Sequence, residues 1–231
     1  MTQKTATGLV TYAKAQIGKP YWYGTFGNKP TSELLEQKSK QYPHPKFSSY
    51  RPDRMPMFRA QIGKFDRVHD CVGLLKGYLW SETPASPPKY NAAQDVSADG
   101  MRGKSDAKPI ASIPETPGAL VFLPGHVGVY IGGGQVIEAR GSDYGVVQTA
   151  LKSRPWTHWG RCPWIDYQNT AAPEQPKGTQ LEHVVRQGDT LWALAAKYLG
   201  SGTRWEEIRT LNCIADERKL PIGMALKIPG K

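Results

Sequence analysis

Cysteine is scarce in this chain: 231 residues hold three, Cys71, Cys162 and Cys213, with no C-x-x-C and no paired spacing. That excludes a disulfide framework and a thiolate zinc cluster, and leaves a free thiol available for chemistry. No His/Cys/Asp/Glu spacing reads as a metal site, so neither a metal nor a cofactor is expected. No apolar run approaches the roughly 20 residues of a membrane span, so no insertion into a membrane is expected. Residues 1–8 lack the apolar core of a secretory leader, from which synthesis in the cytoplasm without a signal peptide is expected. Acidic residues are outnumbered, 20 against 30 Lys and Arg, for a net charge of +10. Residues 181–231 carry eight basic and six acidic side chains, a surplus of two, so eight of the ten excess positives lie upstream. A basic balance favours polyanionic partners such as nucleic acid, anionic lipid or an anionic cell wall. No zinc finger, basic helix or RNA-binding signature accompanies it, so nucleic acid is not an expected partner.

Read in order, residues 6–17 predict an amphipathic helix with Leu9, Val10, Tyr12, Ala13 and Ile17 on one side, stopped by Gly18 and Pro20. An aromatic, glycine-punctuated stretch, residues 20–27, suits a buried turn or the wall of a cleft. A polar helix is expected over 31–42. Residues 43–66, with four prolines and three arginines, read as a long surface excursion, and residues 81–117 as a second one with a short helical turn at 91–96. Strands are then expected at 118–123, 126–131, 135–139, 145–149 and around 164–167. Helices first and an antiparallel sheet after make an α+β plan.

Two stretches carry chemistry. In the first, Cys71, Leu74, Leu75, Tyr78 and Leu79 recur at helical spacing behind Asp70, a suitable N-cap. Cys71 then heads a helix, where the dipole favours the thiolate, the form that attacks carbonyls. A core cysteine that only packs would fit the same position. In the second, two β-runs are joined by Gly132-Gly133-Gly134. A three-glycine loop pairs Ile131 with Gln135, Gly128 with Glu138 and His126 with Arg140. His126 and Glu138 become diagonal neighbours on one face, with β-carbons roughly 7 Å apart. A carboxylate on one imidazole nitrogen frees the other to take a proton from a thiol. A two-residue turn would put the pair on opposite faces.

Together, Pro20-Tyr21-x-x-Gly24, Asp70-Cys71-x-Gly73-Leu74, Gly118-Ala119-Leu120-x-Phe122 and His126-Val127-Gly128-Val129-Tyr130-Ile131-Gly132, with Glu138 twelve residues after the histidine, resemble the NlpC-type cell-wall cysteine peptidases. The resemblance implies a papain-like fold and cleavage of peptidoglycan stem peptides, commonly next to a D-isoglutamyl residue. It makes Cys71 the nucleophile, His126 the base and Glu138 the third polar member, with Tyr21 and Asp70 at the substrate. Val72 stands where the family usually has serine, Glu138 where it usually has His, Asn or Gln, and the span from Gly24 to Cys71 is longer than usual.

Residues 168–181 form a polar, proline-bearing linker. Beyond it, a strand at 182–186, helices at 190–199 and 203–211 and a strand at 225–229 are expected. Val184, Gly188-Asp189-Thr190-Leu191, Ala195, Leu211-Asn212, Pro221-Ile222-Gly223 and Leu226-Lys227-Ile228-Pro229 resemble a LysM module. That implies a βααβ fold binding N-acetylglucosamine-containing glycan, between the Gly188–Leu191 loop (Gly188, Asp189, Thr190, Leu191) and a loop around Ile214 and Ile222, with Asn212 nearby. Gly188, Asp189 and Asn212 also suit plain turns and caps.

The sequence therefore predicts a peptidase domain over 1–167, a linker over 168–181 and a LysM domain over 182–231. The combined expectation is a monomeric peptidoglycan endopeptidase of the phage or prophage endolysin kind, reaching the wall through a membrane lesion. An amidase or acyl transferase on the same scaffold, and a catalytically dead wall-binding protein, are the alternatives.

Overall fold

The computed structural model describes residues 3–46, 49–168, 181–212, 214 and 220–228. The chain divides into two compact units, Met1–Thr170 and Ala171–Lys231. Cys213, Pro229 and nearly all of the expected linker lie outside the described residues. No helix among the described residues is long and apolar enough to cross a membrane.

In the first unit, α1 (Ala6–Ala15) is capped by the Thr5 hydroxyl, which accepts from the Gly8 amide. Leu9, Val10, Tyr12 and Ala13 are buried. Ile17, expected beside them, is 44% exposed because the helix stops at Ala15. The aromatic stretch leads into β1 (Phe26–Asn28), then α2 (Ser32–Gln41) with Thr31 as its cap. The excursion at 43–66 is not a surface loop. It contains α3 (Met55–Gln61), and Tyr50 and Phe58 close a small core of their own with Trp22, Leu35 and Val68. Its scattered prolines hid that spacing.

β2 (Val68–His69) pairs antiparallel with β1 and leads directly into α4 (Cys71–Trp80). Every residue of α4 is buried, where one buried face was expected, because α1, β1, a later helix at 98–104 and the sheet strands at 126–132 and 135–139 all pack against it. The excursion at 81–117 holds α5 (Ala98–Lys104), capped by Ser97 and hidden in the sequence by two glycines. The sheet comprises β3 (Lys108–Pro109), β4 (Leu120–Leu123), β5 (His126–Gly132), β6 (Gln135–Ala139), β7 (Val146–Ala150) and β8 (His158–Gly160). Their order is β3-β8-β4-β5-β6-β7, and each described pair is antiparallel. The expected strand near 164–167 is absent. The chain turns there instead, and Asp166 bridges back to Thr5 while Ile165 packs in the core.

The hairpin departs from its expected loop yet keeps its phase. Gly132, not Ile131, pairs with Gln135, so the loop is the two residues Gly133-Gly134, both at positive φ. A bulge at Ile131 absorbs the difference, and Val129 still faces Ile137. That is the register under which Gly128 comes opposite Glu138, so His126 and Glu138 remain on one face.

In the second unit, β9 (Leu181–Val184), α6 (Leu191–Leu199), α7 (Trp205–Leu211) and β10 (Ala225–Ile228) make a βααβ module whose two strands pair antiparallel. Val185, Leu194, Ala195, Leu199, Ile208 and Leu226 form its core. Each of the Val, Leu and Ile side chains, fully buried, contributes about 1.5–3 kcal/mol before entropy is set against it. Val185 is the buried residue at the end of β9, and its neighbour Val184 is 55% exposed.

Candidate active site

Cys71 is the first residue of α4. Asp70 caps that helix by accepting from the Gly73 amide at 2.5 Å, and its other carboxylate oxygen accepts from the Gly24 amide at 2.8 Å. Residue 73 must be glycine, since a β-carbon there would lie 1.8 Å from the Thr25 carbonyl oxygen. The aromatic loop is thus drawn onto the head of the helix. Cys71 Sγ lies 3.9 Å from the Gly125 carbonyl oxygen and is also met by the Val127 amide. These are the residues on either side of His126.

The helix head does not by itself make a thiolate. Burial and the Asp70 charge push the Cys71 thiol up to about 12, against the amides of Val72, Val127 and Cys71 that pull it down. In this arrangement the group is a thiol at neutral pH, and a nucleophilic role for it would require a base.

His126 opens β5 and Glu138 lies near the end of β6. The imidazole Nε2 is 2.7 Å from Glu138 Oε2, leaving Nδ1 without a hydrogen-bond partner among the described residues. Glu138 is fully buried. Burial alone would raise its carboxyl, but hydrogen bonds to His126 and Thr149 and the charges of His126 and Arg154 outweigh that and hold it below the usual carboxylate range. Thr149 donates to Oε1 at 2.8 Å, and an Arg154 nitrogen stands 3.5 Å from Oε2. The Trp156 ring stacks on the imidazole at 5.7 Å between centroids, tilted by 18°. Asp99, from α5, accepts the Gly125 amide and so pins the turn entering β5. Sequence reasoning missed Thr149, Arg154, Trp156 and Asp99. Alternation along β7 could have found Thr149, whereas nothing local marks the other three.

Tyr21 is half-buried, and Tyr21 and His69 form an isolated bridge. Burial, then the charges of Asp70 and Cys71, raise its phenol. Asp70 has both oxygens engaged by backbone amides, so in this structure it shapes the helix head rather than presenting a free carboxylate. A cleft of about 550 Å³ opens next to these residues, lined by Asp70, Val72 and Gly73 and walled by side chains from α2 and from the excursion at 81–117. Among the described residues no His/Cys/Asp/Glu group is placed to hold a metal ion.

In the second unit, Thr190 caps α6, accepting from the Ala193 amide, and Leu191 is in the core. Asp189 accepts from the Arg186 amide at 2.8 Å and pairs with His183 Nε2 at 2.7 Å. Asn212 is spent on the fold: its amide bridges the Ile208 and Lys227 carbonyls and accepts the Lys227 amide. Ile214 is half-buried against the core, whereas Ile222 is 70% exposed. The Gly223 amide donates to the Val185 carbonyl at 2.8 Å. The turn carrying Ile222 and the turn at Gly188, whose φ is 89°, therefore leave the same end of the two-stranded sheet. Gly188 and Ile222 are brought together, and the side chains of Asp189, Thr190 and Asn212 are engaged within the module.

Comparison with known proteins agrees with both halves. The NlpC/P60 family matches residues 59–164 and the LysM domain matches residues 183–229. Among solved structures, NlpC2 from Trichomonas vaginalis is 18% identical over 68% of this chain and 47% of its own, with a TM-score of 0.39. A P60 domain from an M. avium subspecies paratuberculosis antigen is 21% identical, over 70% and 96%, at 0.40. The peptidoglycan hydrolase RipB from Mycobacterium tuberculosis is 23% identical, over 70% and 67%, at 0.39. The chain spans about half the length of the Trichomonas structures it matches. No curated protein matches. With a helix headed by Cys71 packed on the antiparallel sheet that carries His126, the chain is an α+β protein that matches the NlpC/P60 family over residues 59–164 and the LysM domain over residues 183–229.

Proposed function

We propose that this protein is a peptidoglycan hydrolase, a cysteine endopeptidase that cuts the peptide stems of the bacterial wall next to a D-isoglutamyl residue. The LysM domain holds it on N-acetylglucosamine-containing glycan. The observation that carries the reading is the buried Glu138–His126 pair on the strand whose first residues enclose Cys71 Sγ. The two family matches, one in each unit, support peptidoglycan as the substrate.

In this reading Glu138 fixes the imidazole through Nε2, and Nδ1 takes the Cys71 proton as the sulfur attacks the scissile carbonyl. The Cys71 amide, at the head of α4, and the Tyr21 hydroxyl stabilise the oxyanion. The imidazolium then protonates the leaving amine, and water, deprotonated by the same imidazole, releases the acid from the thioester. LysM binding raises the enzyme's concentration at an insoluble substrate, and a lytic role of the endolysin type follows from both activities in one chain.

The test is product analysis of digested sacculi by mass spectrometry. New amino-acid N-termini next to isoglutamyl, absent with Cys71→Ala, are expected, together with lysis of cells by protein added from outside. Free muramyl lactyl groups would instead make the protein an amidase. Undiminished digestion by Cys71→Ala would remove the thiol from the chemistry.

A further inference from the structure

The cleft beside Cys71 is built from parts of the chain that the catalytic chemistry does not use. The residues flanking the nucleophile, Asp70 and Val72, form its floor. Helix α2 contributes Leu34, Gln37 and Lys38, and the excursion at 81–117 contributes Tyr90, Asp95 and Ser97. Two lysines and two aspartates meet there, with no net charge, but they are unequally engaged.

Asp70 spends one oxygen on each of two backbone amides. Asp95 is held by Lys76 at 2.5 Å and by the Tyr90 hydroxyl at 2.9 Å. Lys76 is thereby neutralised. Lys38 is not: its side chain is 92% shielded by the fold, with a relative exposure of 8%. Among the described residues its ammonium has one hydrogen-bond acceptor, the Gln41 side-chain oxygen at 3.0 Å, and no carboxylate within ion-pair distance. Ammonium carries three donors. A buried cation that rests over the Tyr42 ring at 5.8 Å but makes one hydrogen bond among the described residues, on the wall of a cleft whose carboxylates are already engaged, is an arrangement that a bound anion favours.

We propose that α2 and the excursion at 81–117 build a carboxylate-accepting subsite next to Cys71, in which Lys38 reads a free carboxylate of the wall peptide. This rests on the peptidase reading and adds a determinant to it: the enzyme distinguishes a stem bearing a particular carboxylate from the same stem amidated there. Val72 suits the role, since an apolar floor strengthens the ion pair above it. Burial lowers the Lys38 ammonium, while Asp70 and Asp95 across the cleft raise it and Lys76 lowers it. A ligand carboxylate would add to the raising side.

The experiment converts each carboxylate of a synthetic stem peptide in turn to a carboxamide and measures KM and kcat with full-length protein. One conversion should raise KM about tenfold with little change in kcat. Lys38→Gln should bring that pair of peptides to the same KM, and Lys38→Arg should restore the preference. Gln37→Glu, at the exposed rim, puts a competing carboxylate at the cleft without touching the core, and should raise KM for the preferred peptide several-fold. Equal KM across all conversions in the wild type, or a preference that survives both Lys38→Gln and Gln37→Glu, overturns the subsite. Calorimetry on Cys71→Ala separates this from the catalytic reading. Tighter binding of the carboxylate peptide without cleavage by the wild type keeps the subsite and removes the peptidase; cleavage without discrimination does the reverse.

Discussion

Each unit of this protein contains a histidine whose Nε2 lies 2.7 Å from a carboxylate, and the two pairs have different surroundings. In the LysM domain, His183 bonds Asp189 through Nε2 and the Tyr198 hydroxyl through Nδ1, at 3.0 Å. Both nitrogens are spent, the carboxylate is part-exposed, and the pair closes a turn. In the NlpC/P60 domain, His126 uses Nε2 alone, Glu138 is fully buried, and a cysteine lies against the backbone on either side of the histidine. A carboxylate–imidazole pair therefore says little about chemistry until the second nitrogen and the burial of the acid are known. The first is a fastener; the second has a free nitrogen, as the proposed proton transfer requires.

The largest effect that would sharpen this contrast is on turnover. Glu138→Gln should lower kcat on a soluble muropeptide by about 10²-fold or more while Cys71 remains alkylatable, and unchanged turnover would reduce the pair to a fastener as well. The same variant reports on stability. Because the folded carboxyl sits below its ordinary value of 4.5, its contribution is fully present above that pH and is lost as pH falls through the folded value. The melting-temperature gap between wild type and Glu138→Gln should therefore close on acidification.

A smaller effect concerns the sulfur. With the Cys71 thiol pushed up to about 12 by burial and Asp70, iodoacetamide modification of the resting enzyme should be slow at neutral pH. It should keep rising through the alkaline range without a plateau near pH 7. A plateau near neutrality would mean that His126 already holds the proton before substrate arrives. The smallest effect is on the other pair. Asp189→Asn should slightly lower the melting temperature of the LysM transition and leave turnover of a soluble muropeptide unchanged. A fall in turnover would show that the two pairs are not independent.

The elements around Cys71 and His126 were readable because they rest on short-range rules. Asp70 before an apolar helical period marks the head of α4, and alternating β-branched residues across three glycines mark the hairpin. The bulge at Ile131 was not readable, since a two-residue and a three-residue loop both suit Gly132-Gly133-Gly134 and only strand pairing chooses between them. α5 was missed because two of its seven residues are glycines, poor helix formers that tertiary contacts override. The excursion at 43–66 looked like loop because its core partners, Trp22, Leu35 and Val68, are distant in sequence or belong to other elements.

Residue order and local chemistry suffice for the two-part plan, the helix that starts at Cys71 and the shared face of His126 and Glu138. Capping, periodicity and strand alternation act over a few residues, and the chain states them openly. Which ionised groups are paired, shielded or left over was decided by packing alone. Arg154, Thr149 and Asp99 reach the site from separate elements, Lys38 of α2 shares a cleft with the excursion at 81–117, and burial raises a thiol that the helix head alone would lower. Desolvation depends on everything that surrounds a group in three dimensions, and no stretch of neighbouring residues carries that information.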